Sequence, residues 1–141
     1  MSDGVRLMDQ APSVEDYRRL RIASGLSPKS EAAAQAGLAG GLFGVSLMDG
    51  DAVIGMGRII GDGGCHYQIV DIAVLPAYQG QGFGAQIMQR LKEWIDANVP
   101  DSGYVSLIAD GDAKHLYAKY GFQETAPASV GMAMKMGRDT E

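Results

Sequence analysis

The stretch QGQGFGAQIMQRL, residues 79–91, places three glycines at alternate positions directly before an amphipathic pattern. Residues 69–74 before it are nearly all apolar, as expected for a central strand. A strand, a glycine-rich turn and a helix start direct several backbone N–H groups and the positive end of a helix toward one place. Anions bind there, because glycine lets a phosphate approach the main chain. A tight turn packed against its neighbours is the alternative explanation.

Two known nucleotide-binding motifs do not account for this turn. A Walker A motif needs Lys and then Ser or Thr after its last glycine, whereas FGA follows Gly82. Gly80, Gly82 and Ala85 do match the dinucleotide fingerprint G-x-G-x-x-A. In that fingerprint, however, the first glycine leaves the strand directly, and here residues 76–79 intervene.

Patterns on either side of this stretch predict further elements. Residues 13–26 and 30–39 are typical of helices capped by Ser13 and Ser30. Apolar residues alternate on both sides of DGD, residues 49–51, which predicts a β-hairpin. The helix after the glycine turn presents one apolar face. The positions predicted to be buried on it are Ile87, Met88, Leu91, Trp94 and Ile95.

The last third of the sequence predicts a buried strand at residues 104–109, a short helix at 112–120, and terminal strands from Phe122 and VGMAMKM, residues 130–136. The element order is then strand, two helices, three strands, helix, strand, helix and strands, in one domain over residues 1–141. Dispersed methionines are predicted to fill the core. They are Met8, Met48, Met56, Met88, Met132, Met134 and Met136.

Composition narrows the classes of function. The chain has 141 residues, 46% of them hydrophobic, and a net charge of −5, which argues against nucleic acid or an anionic membrane as a partner. No run of 18 or more uncharged apolar residues occurs, and the N-terminus lacks the order of a signal peptide. Cys65 is the single cysteine. These features predict a cytoplasmic protein.

Two segments carry a family resemblance. IAVLPAYQGQGFGAQIM, residues 72–88, resembles motif A of the GNAT N-acetyltransferases, whose Q/R-x-x-G-x-G/A pattern falls on residues 79–84. AKHLYAKYGF, residues 113–122, is similar to the family's A-x-x-L-Y-x-K-x-G-F segment. The likeness covers nearly the whole chain and extends to a subgroup of small, uncharacterised bacterial members. It implies an α/β (α+β) fold with a central mixed, mostly antiparallel sheet flanked by about four helices.

The resemblance implies an acetyl-CoA-dependent N-acetyltransferase that uses no metal. It would transfer the acetyl group to a primary amine of a small molecule by direct attack in a ternary complex. A protein N-terminal or lysine acetyltransferase, and a non-catalytic acyl-CoA sensor, are the alternatives. A homodimer is one possible assembly. Cofactor contacts carried over from the family are Ile72, Ala73, Val74, Gln79, Gly80, Gln81, Gly82, Phe83, Gly84 and Ala85.

Proton transfer is assigned by the same resemblance. Tyr117 matches the Tyr that protonates the leaving thiolate, although spacing alone also fits a packed core residue. Many members carry a Glu base where this sequence has Gln68, which cannot take a proton. Asp71 is the nearest substitute, and a partnered structural carboxylate or proton loss through ordered water are its alternatives.

Acceptor contacts are expected from the helices after the first strand and from the neighbouring hairpin. The candidates are Arg21, Ser24, Arg58 and Gln68, with Asp62 as a further one. Each of them also fits an ordinary surface or turn position. Asp110 stands where relatives often carry an Asn beside the cofactor, or it caps the following helix.

Overall fold

The computed structural model describes residues 4–137, and within them it shows a five-stranded sheet with four α-helices. The strands lie in the order β1 to β5, all antiparallel except the parallel pair β4 and β5. This confirms the predicted mixed, mostly antiparallel sheet. In residues 4–137 no helix is both long and apolar enough to cross a membrane. The elements are β1 (Val5–Met8), α1 (Val14–Ala23), α2 (Glu31–Ala39), β2 (Phe43–Asp49), β3 (Ala52–Gly61), β4 (His66–Val74), α3 (Phe83–Asn98), β5 (Tyr104–Ser106) and α4 (Ala113–Ala118).

Helix α3 covers one face of the sheet. Its predicted apolar side is confirmed, because Ile87, Met88 and Leu91 are fully buried and Ile95 is buried, while Trp94 is half-buried at the margin. Burying a side chain of this size stabilises the folded state by roughly 1.5–3 kcal/mol. The packing therefore holds the first turn of α3 in a fixed position beside the end of β4.

Helices α1 and α2 cover the opposite face. The predicted caps are confirmed: the Ser13 hydroxyl accepts from the Asp16 amide at 3.1 Å, and the Ser30 hydroxyl from the Ala33 amide at 3.1 Å. Leu20 of α1 is fully buried against the sheet. The two serine caps therefore fix where α1 and α2 begin, and the apolar sides of both helices pack against this face of the sheet.

Strand β4 contains a bulge. Asp71 and Ile72 lie opposite Gly57 of β3 alone, and Asp71 has a φ of +63°, which is uncommon for a residue with a side chain. Gly57 allows α3 to pack closely, because a Cβ there would lie 2.7 Å from Cγ2 of Ile87. The bulge brings the Asp71 carboxylate to helix α1, where Tyr17 donates a hydrogen bond to it.

Strands β4 and β5 separate after a short ladder. The pairing joins His66 to Tyr104 and continues only to Gln68 and Ser106. Strand β4 runs on to Val74, and no strand of residues 4–137 pairs with it on that side. The separation leaves a cleft between β4 and the chain that follows β5.

The C-terminal predictions are partly wrong. Helix α4 is shorter than the predicted residues 112–120, and no strand forms among residues 121–137. Met56 and Met88 are fully buried, as predicted, whereas Met132, Met134 and Met136 are exposed. Their alternation is typical of a strand, but a strand needs a neighbouring edge, and in the single chain this segment pairs with none.

Candidate active site

The glycine turn leaves open space before α3. Gly80 and Gly82 have φ values of +79° and +85°, and Gly82 is the N-cap of α3. A Cβ built on Gly80, Gly82 or Gly84 would meet nothing within 4 Å. In the described part of the chain, the amides of residues 80–85 donate to no backbone or side-chain acceptor. The turn therefore presents free N–H groups at the positive end of a 16-residue helix.

Side chains around the turn hold its shape. Gln79 Nε2 donates to the Val74 carbonyl at 2.9 Å, which ties the loop back to the end of β4. The Tyr120 hydroxyl donates to the Ala85 carbonyl at 3.2 Å, and the Phe83 ring is buried beneath the loop. The side chains of Gln79 and Phe83 thus hold the loop in place. Because the Phe83 ring is buried, only the Phe83 backbone is accessible to a ligand.

A cleft lies between the separating strands. It has a volume of about 240 Å³, and residues 69–72 of β4 form one wall. Leu107, Ile108 and Asp110, which follow β5, form the other wall. Arg21 and Tyr117 also line it, so the cleft runs from helix α1 to helix α4.

The end of β4 presents backbone groups to the open side. The Leu75 amide donates to Ile54 on β3, and the Val74 carbonyl instead accepts from Gln79. A strand residue directs its N–H and C=O to the same side, so the Val74 amide also points away from β3. Ala73 is buried and, unlike Ile72, does not line the cleft.

Tyr117 is the titratable phenol of this cleft. It is half-buried on α4, and burial raises the pKa of its hydroxyl above 10, with the nearby negative charge of Asp110 adding to the rise. The hydroxyl therefore carries its proton at neutral pH. In this state Tyr117 can donate a proton into the cleft.

The Asp71 side chain is buried in a charged cluster at the wall of the cleft. Arg21 Nη1 lies 2.5 Å from Oδ1, and Arg58 Nε lies 2.9 Å from Oδ2. The Tyr17 hydroxyl donates to Oδ2 at 2.9 Å, and burial followed by the Asp71 charge raises the pKa of Tyr17. Both carboxylate oxygens are engaged, which favours the partnered structural role among the alternatives for Asp71.

Tyr17 was missed as a site residue by the sequence analysis. Tyr17 and Arg21 are four residues apart on α1, so they face the same side of the helix. An aromatic hydroxyl and a guanidinium at that spacing, together with Asp71 inside an apolar strand, are the signal that could have identified the cluster.

The candidate acceptor residues are only partly brought together. Arg21 lines the cleft, and Arg58 lies behind it, donating to both Asp71 and the Gly37 carbonyl. Ser24 ends α1, where its hydroxyl donates to the Leu20 carbonyl at 2.6 Å. Gln68 is half-buried at the last position of β4 that pairs with β5.

One further candidate, Asp62, has a structural role in a turn. Asp62 accepts hydrogen bonds from the amides of Gly64, Cys65 and His66, so it closes the turn between β3 and β4.

Across residues 4–137, no group of three or more His, Cys, Asp or Glu side chains is arranged to hold a metal ion.

The sequence also matches a family model described as an acetyltransferase (GNAT) domain, over residues 39–124. The matched region contains β2 to β5, the glycine turn and α4. The chain belongs to the GNAT acetyltransferase family. This family uses acetyl-CoA as a co-substrate.

Solved structures share the GNAT fold over almost the entire chain. A protein of unknown function from methicillin-resistant Staphylococcus aureus, described as a probable acetyltransferase, is 52% identical, with a TM-score of 0.89 over 94% of this chain and 99% of that one. A GNAT family acetyltransferase from Streptococcus pneumoniae is 27% identical, with a TM-score of 0.73 over 96% and 99%.

A curated relative is the chloroplastic GCN5-related N-acetyltransferase 2 of Arabidopsis thaliana. It is 34% identical over 80 residues, which are 57% of this chain and 30% of the relative. The chain thus spans about a third of the length of the curated relatives it matches.

Proposed function

We propose that this GNAT protein is an N-acetyltransferase that moves the acetyl group of acetyl-CoA to a primary amine of a small molecule, by direct attack in a ternary complex. The observation that carries the proposal is the open glycine turn at the start of α3, on the chain that follows β4, one strand of the cleft. A nucleotide thioester requires backbone donors for its phosphates and a cleft for its acyl end.

The donor is held mainly by backbone groups. The free amides of residues 80–85 bind the diphosphate of coenzyme A, and the open space beside Gly80, Gly82 and Gly84 admits it. Strand β4 offers the backbone of Ile72 and Val74, on either side of the buried Ala73, to the pantetheine arm, as an edge strand does to an added strand. The Val74 amide on the open side donates to the thioester oxygen and stabilises the negative charge that develops there.

Tyr117 completes the transfer. The amine nitrogen bonds to the acetyl carbon, the carbon–sulfur bond then breaks, and the Tyr117 hydroxyl gives its proton to the departing sulfur. Its raised pKa supports this role, because the hydroxyl is protonated throughout the neutral range.

The amine proton leaves by another route. Gln68 has no basic group, and two guanidinium groups and the Tyr17 hydroxyl engage both oxygens of Asp71. We assign Asp71 to holding Arg21 at the wall of the cleft. The proton leaves through ordered water.

The acceptor is a small amine rather than a protein. The cleft of about 240 Å³ is lined by the charged residues Arg21, Asp71 and Asp110 together with Tyr117, and its volume suits a compact ligand. A cytoplasmic location and a single domain over residues 1–141 stay predictions.

A thiol-release screen tests this function. Purified protein is incubated with acetyl-CoA and panels of small primary amines, lysine peptides and peptides with free N-termini. Release of coenzyme A with small amines supports the proposal, and release only with peptides indicates a protein acetyltransferase. Thermal stabilisation by acetyl-CoA without release with any acceptor would identify a sensor and overturn the enzymatic proposal.

A further inference from the structure

The buried cluster around Asp71 contains one more positive charge than negative charge. Arg21 and Arg58 are guanidinium cations, and within residues 4–137 the Asp71 carboxylate is the one acidic group that pairs with either of them. Tyr17 adds only a neutral hydroxyl. Both arginine side chains are more than nine-tenths buried. A buried charge without a counter-ion is costly, so the cluster is suited to receive one further negative charge.

Arg21 presents this excess charge to the cleft. Its Nε donates to the Ser27 carbonyl at 2.6 Å, its Nη2 to the Ser27 hydroxyl at 3.0 Å, and its Nη1 to Asp71. A guanidinium has five N–H bonds, so one on each Nη atom has no acceptor within residues 4–137. Arg21 lines the cleft, whereas Arg58 does not. The two remaining N–H bonds can therefore donate to the oxygens of a bound anion.

The other end of the cleft is negative. Asp110 lines it there, and no salt bridge within residues 4–137 includes Asp110. Burial and then the charge of Asp110 raise the pKa of Tyr117, so this carboxylate lies close to the proposed acid. A carboxylate in that place attracts an ammonium group. The cleft thus has a cationic side chain on α1 and an anionic one beside α4, with Leu26, Leu107 and Ile108 among its apolar lining.

We propose that the acceptor is a free amino acid, whose carboxylate binds Arg21 and whose amino group lies beside Asp110 and Tyr117. This inference rests on the proposed function, because it names the acceptor of the same cleft. A carboxylate carries the single negative charge that the cluster lacks, whereas a phosphate dianion would exceed it. The two charges of the cleft match the two charges of an amino acid in sign and in order.

The reaction removes one of these two charges. The amino group attacks as the neutral amine, the nitrogen–carbon bond forms, and the carbon–sulfur bond breaks. Overall, the ammonium form of the acceptor and the thioester give an amide, the thiol of coenzyme A and one proton. The product keeps its carboxylate but has lost the cation that Asp110 attracts. Its binding is therefore weaker than that of the acceptor, which favours release.

Matched acceptors test the assignment on the native protein. Thiol release is measured with glycine against glycinamide and with L-alanine against L-alaninamide. The amide of each pair has the lower amine pKa and so the larger neutral fraction, which means that intrinsic reactivity favours the amide. We expect kcat/KM to be at least about tenfold higher for the acid. Equal values, a preference for the amide, or faster turnover of phosphoethanolamine than of either amino acid would overturn the assignment.

Arg21→Gln separates acceptor binding from a structural role. Arg58 still pairs with Asp71 in this variant, so no carboxylate is left alone. Values of kcat/KM for the acids should fall at least about tenfold, while those for the amides change little. Arg19→Gln is the matched control, because Arg19 lies on the same helix outside the cleft, and it should keep the native ratio. An equal fall for acids and amides in Arg21→Gln would show that Arg21 only supports the fold.

Calorimetry distinguishes a failure of this inference from a failure of acetyl transfer. Glycine and glycinamide are titrated into the protein saturated with coenzyme A, where no turnover occurs. Tighter binding of glycine without thiol release from acetyl-CoA would support the amino acid site and overturn acetyl transfer. Thiol release with equal binding of glycine and glycinamide would support acetyl transfer and overturn the amino acid site.

Discussion

The Arg21 guanidinium lies against the Asp71 carboxylate, with Nη1 2.5 Å from Oδ1, and both side chains are more than nine-tenths buried. The pair joins helix α1 to the bulge in β4, so it fixes how α1 sits against the strand that lines the cleft. Two buried guanidinium groups share this single carboxylate. Breaking a buried ion pair is costly, because a charge remains in a place that water cannot reach.

Asp71→Asn should therefore lower the free energy of unfolding by about 3–5 kcal/mol. Asp96→Asn is the matched control, because Asp96 pairs with Lys92 at 2.8 Å on the exposed side of α3, and its loss should cost less than about 1 kcal/mol. Urea unfolding followed by circular dichroism measures both values. Similar losses in the two variants would contradict the structural role of the cluster.

Tyr17→Phe should show a pH-dependent stability difference. The Tyr17 hydroxyl donates to Asp71, and a hydrogen bond to a charged group stabilises by about 1.5–3 kcal/mol. Burial raises the pKa of Tyr17 in the folded state, so the unfolded chain ionises first, near pH 10. The stabilisation is fully present below about pH 10 and is lost as the pH rises toward the folded pKa.

Urea unfolding at about pH 8 and about pH 11 measures this difference. The advantage of the native chain over Tyr17→Phe should be large at the lower pH and smaller at the higher pH. A difference that is constant or grows with pH would show that the Tyr17 pKa is not raised.

Gly57→Ala should destabilise the fold by about 1–3 kcal/mol. The new Cβ would lie 2.7 Å from Cγ2 of Ile87 and 3.1 Å from Cδ1 of Leu91, so α3 would have to move away from the bulge. Gly64→Ala is the control, because the nearest atom to its Cβ is Asp62 Oδ1 at 3.9 Å. Thermal unfolding compares them, and equal melting temperatures would refute the close contact.

Tyr117→Phe should lower kcat about 10²–10⁴-fold and leave KM for acetyl-CoA nearly unchanged, because the hydroxyl acts only when the thiolate departs. Tyr104→Phe removes an exposed hydroxyl outside the cleft and should retain full activity. Steady-state thiol release measures both variants. A fully active Tyr117→Phe enzyme, with chemistry rate-limiting, would exclude Tyr117 as the acid.

Much of the fold was predictable because local rules determine it. Serine caps, the Asp49-Gly50-Asp51 turn and the apolar side of α3 depend on neighbours in sequence, and all of them appear as predicted. The resemblance in the glycine turn and in residues 113–122 correctly indicated the family.

The cluster around Asp71 was harder to predict, because its members come from α1, β3 and β4. Sequence alone shows a carboxylate in an apolar strand, but not that Tyr17, Arg21 and Arg58 surround it. The strand predicted at residues 130–136 was wrong for a related reason. Alternation indicates a strand, but it does not show whether an edge is available for the segment to pair with.

Titration calorimetry with acetyl-CoA tests the central claim most directly, that the amides of residues 80–85 bind the diphosphate. Gly82→Ala adds a Cβ in the open space before α3, and Gly63→Ala adds one in a distant turn with nearly the same φ, +83° against +85°. The native chain and Gly63→Ala should bind alike, and Gly82→Ala at least about tenfold more weakly. Equal affinity in all three proteins, or no heat of binding in the native chain, would contradict the account.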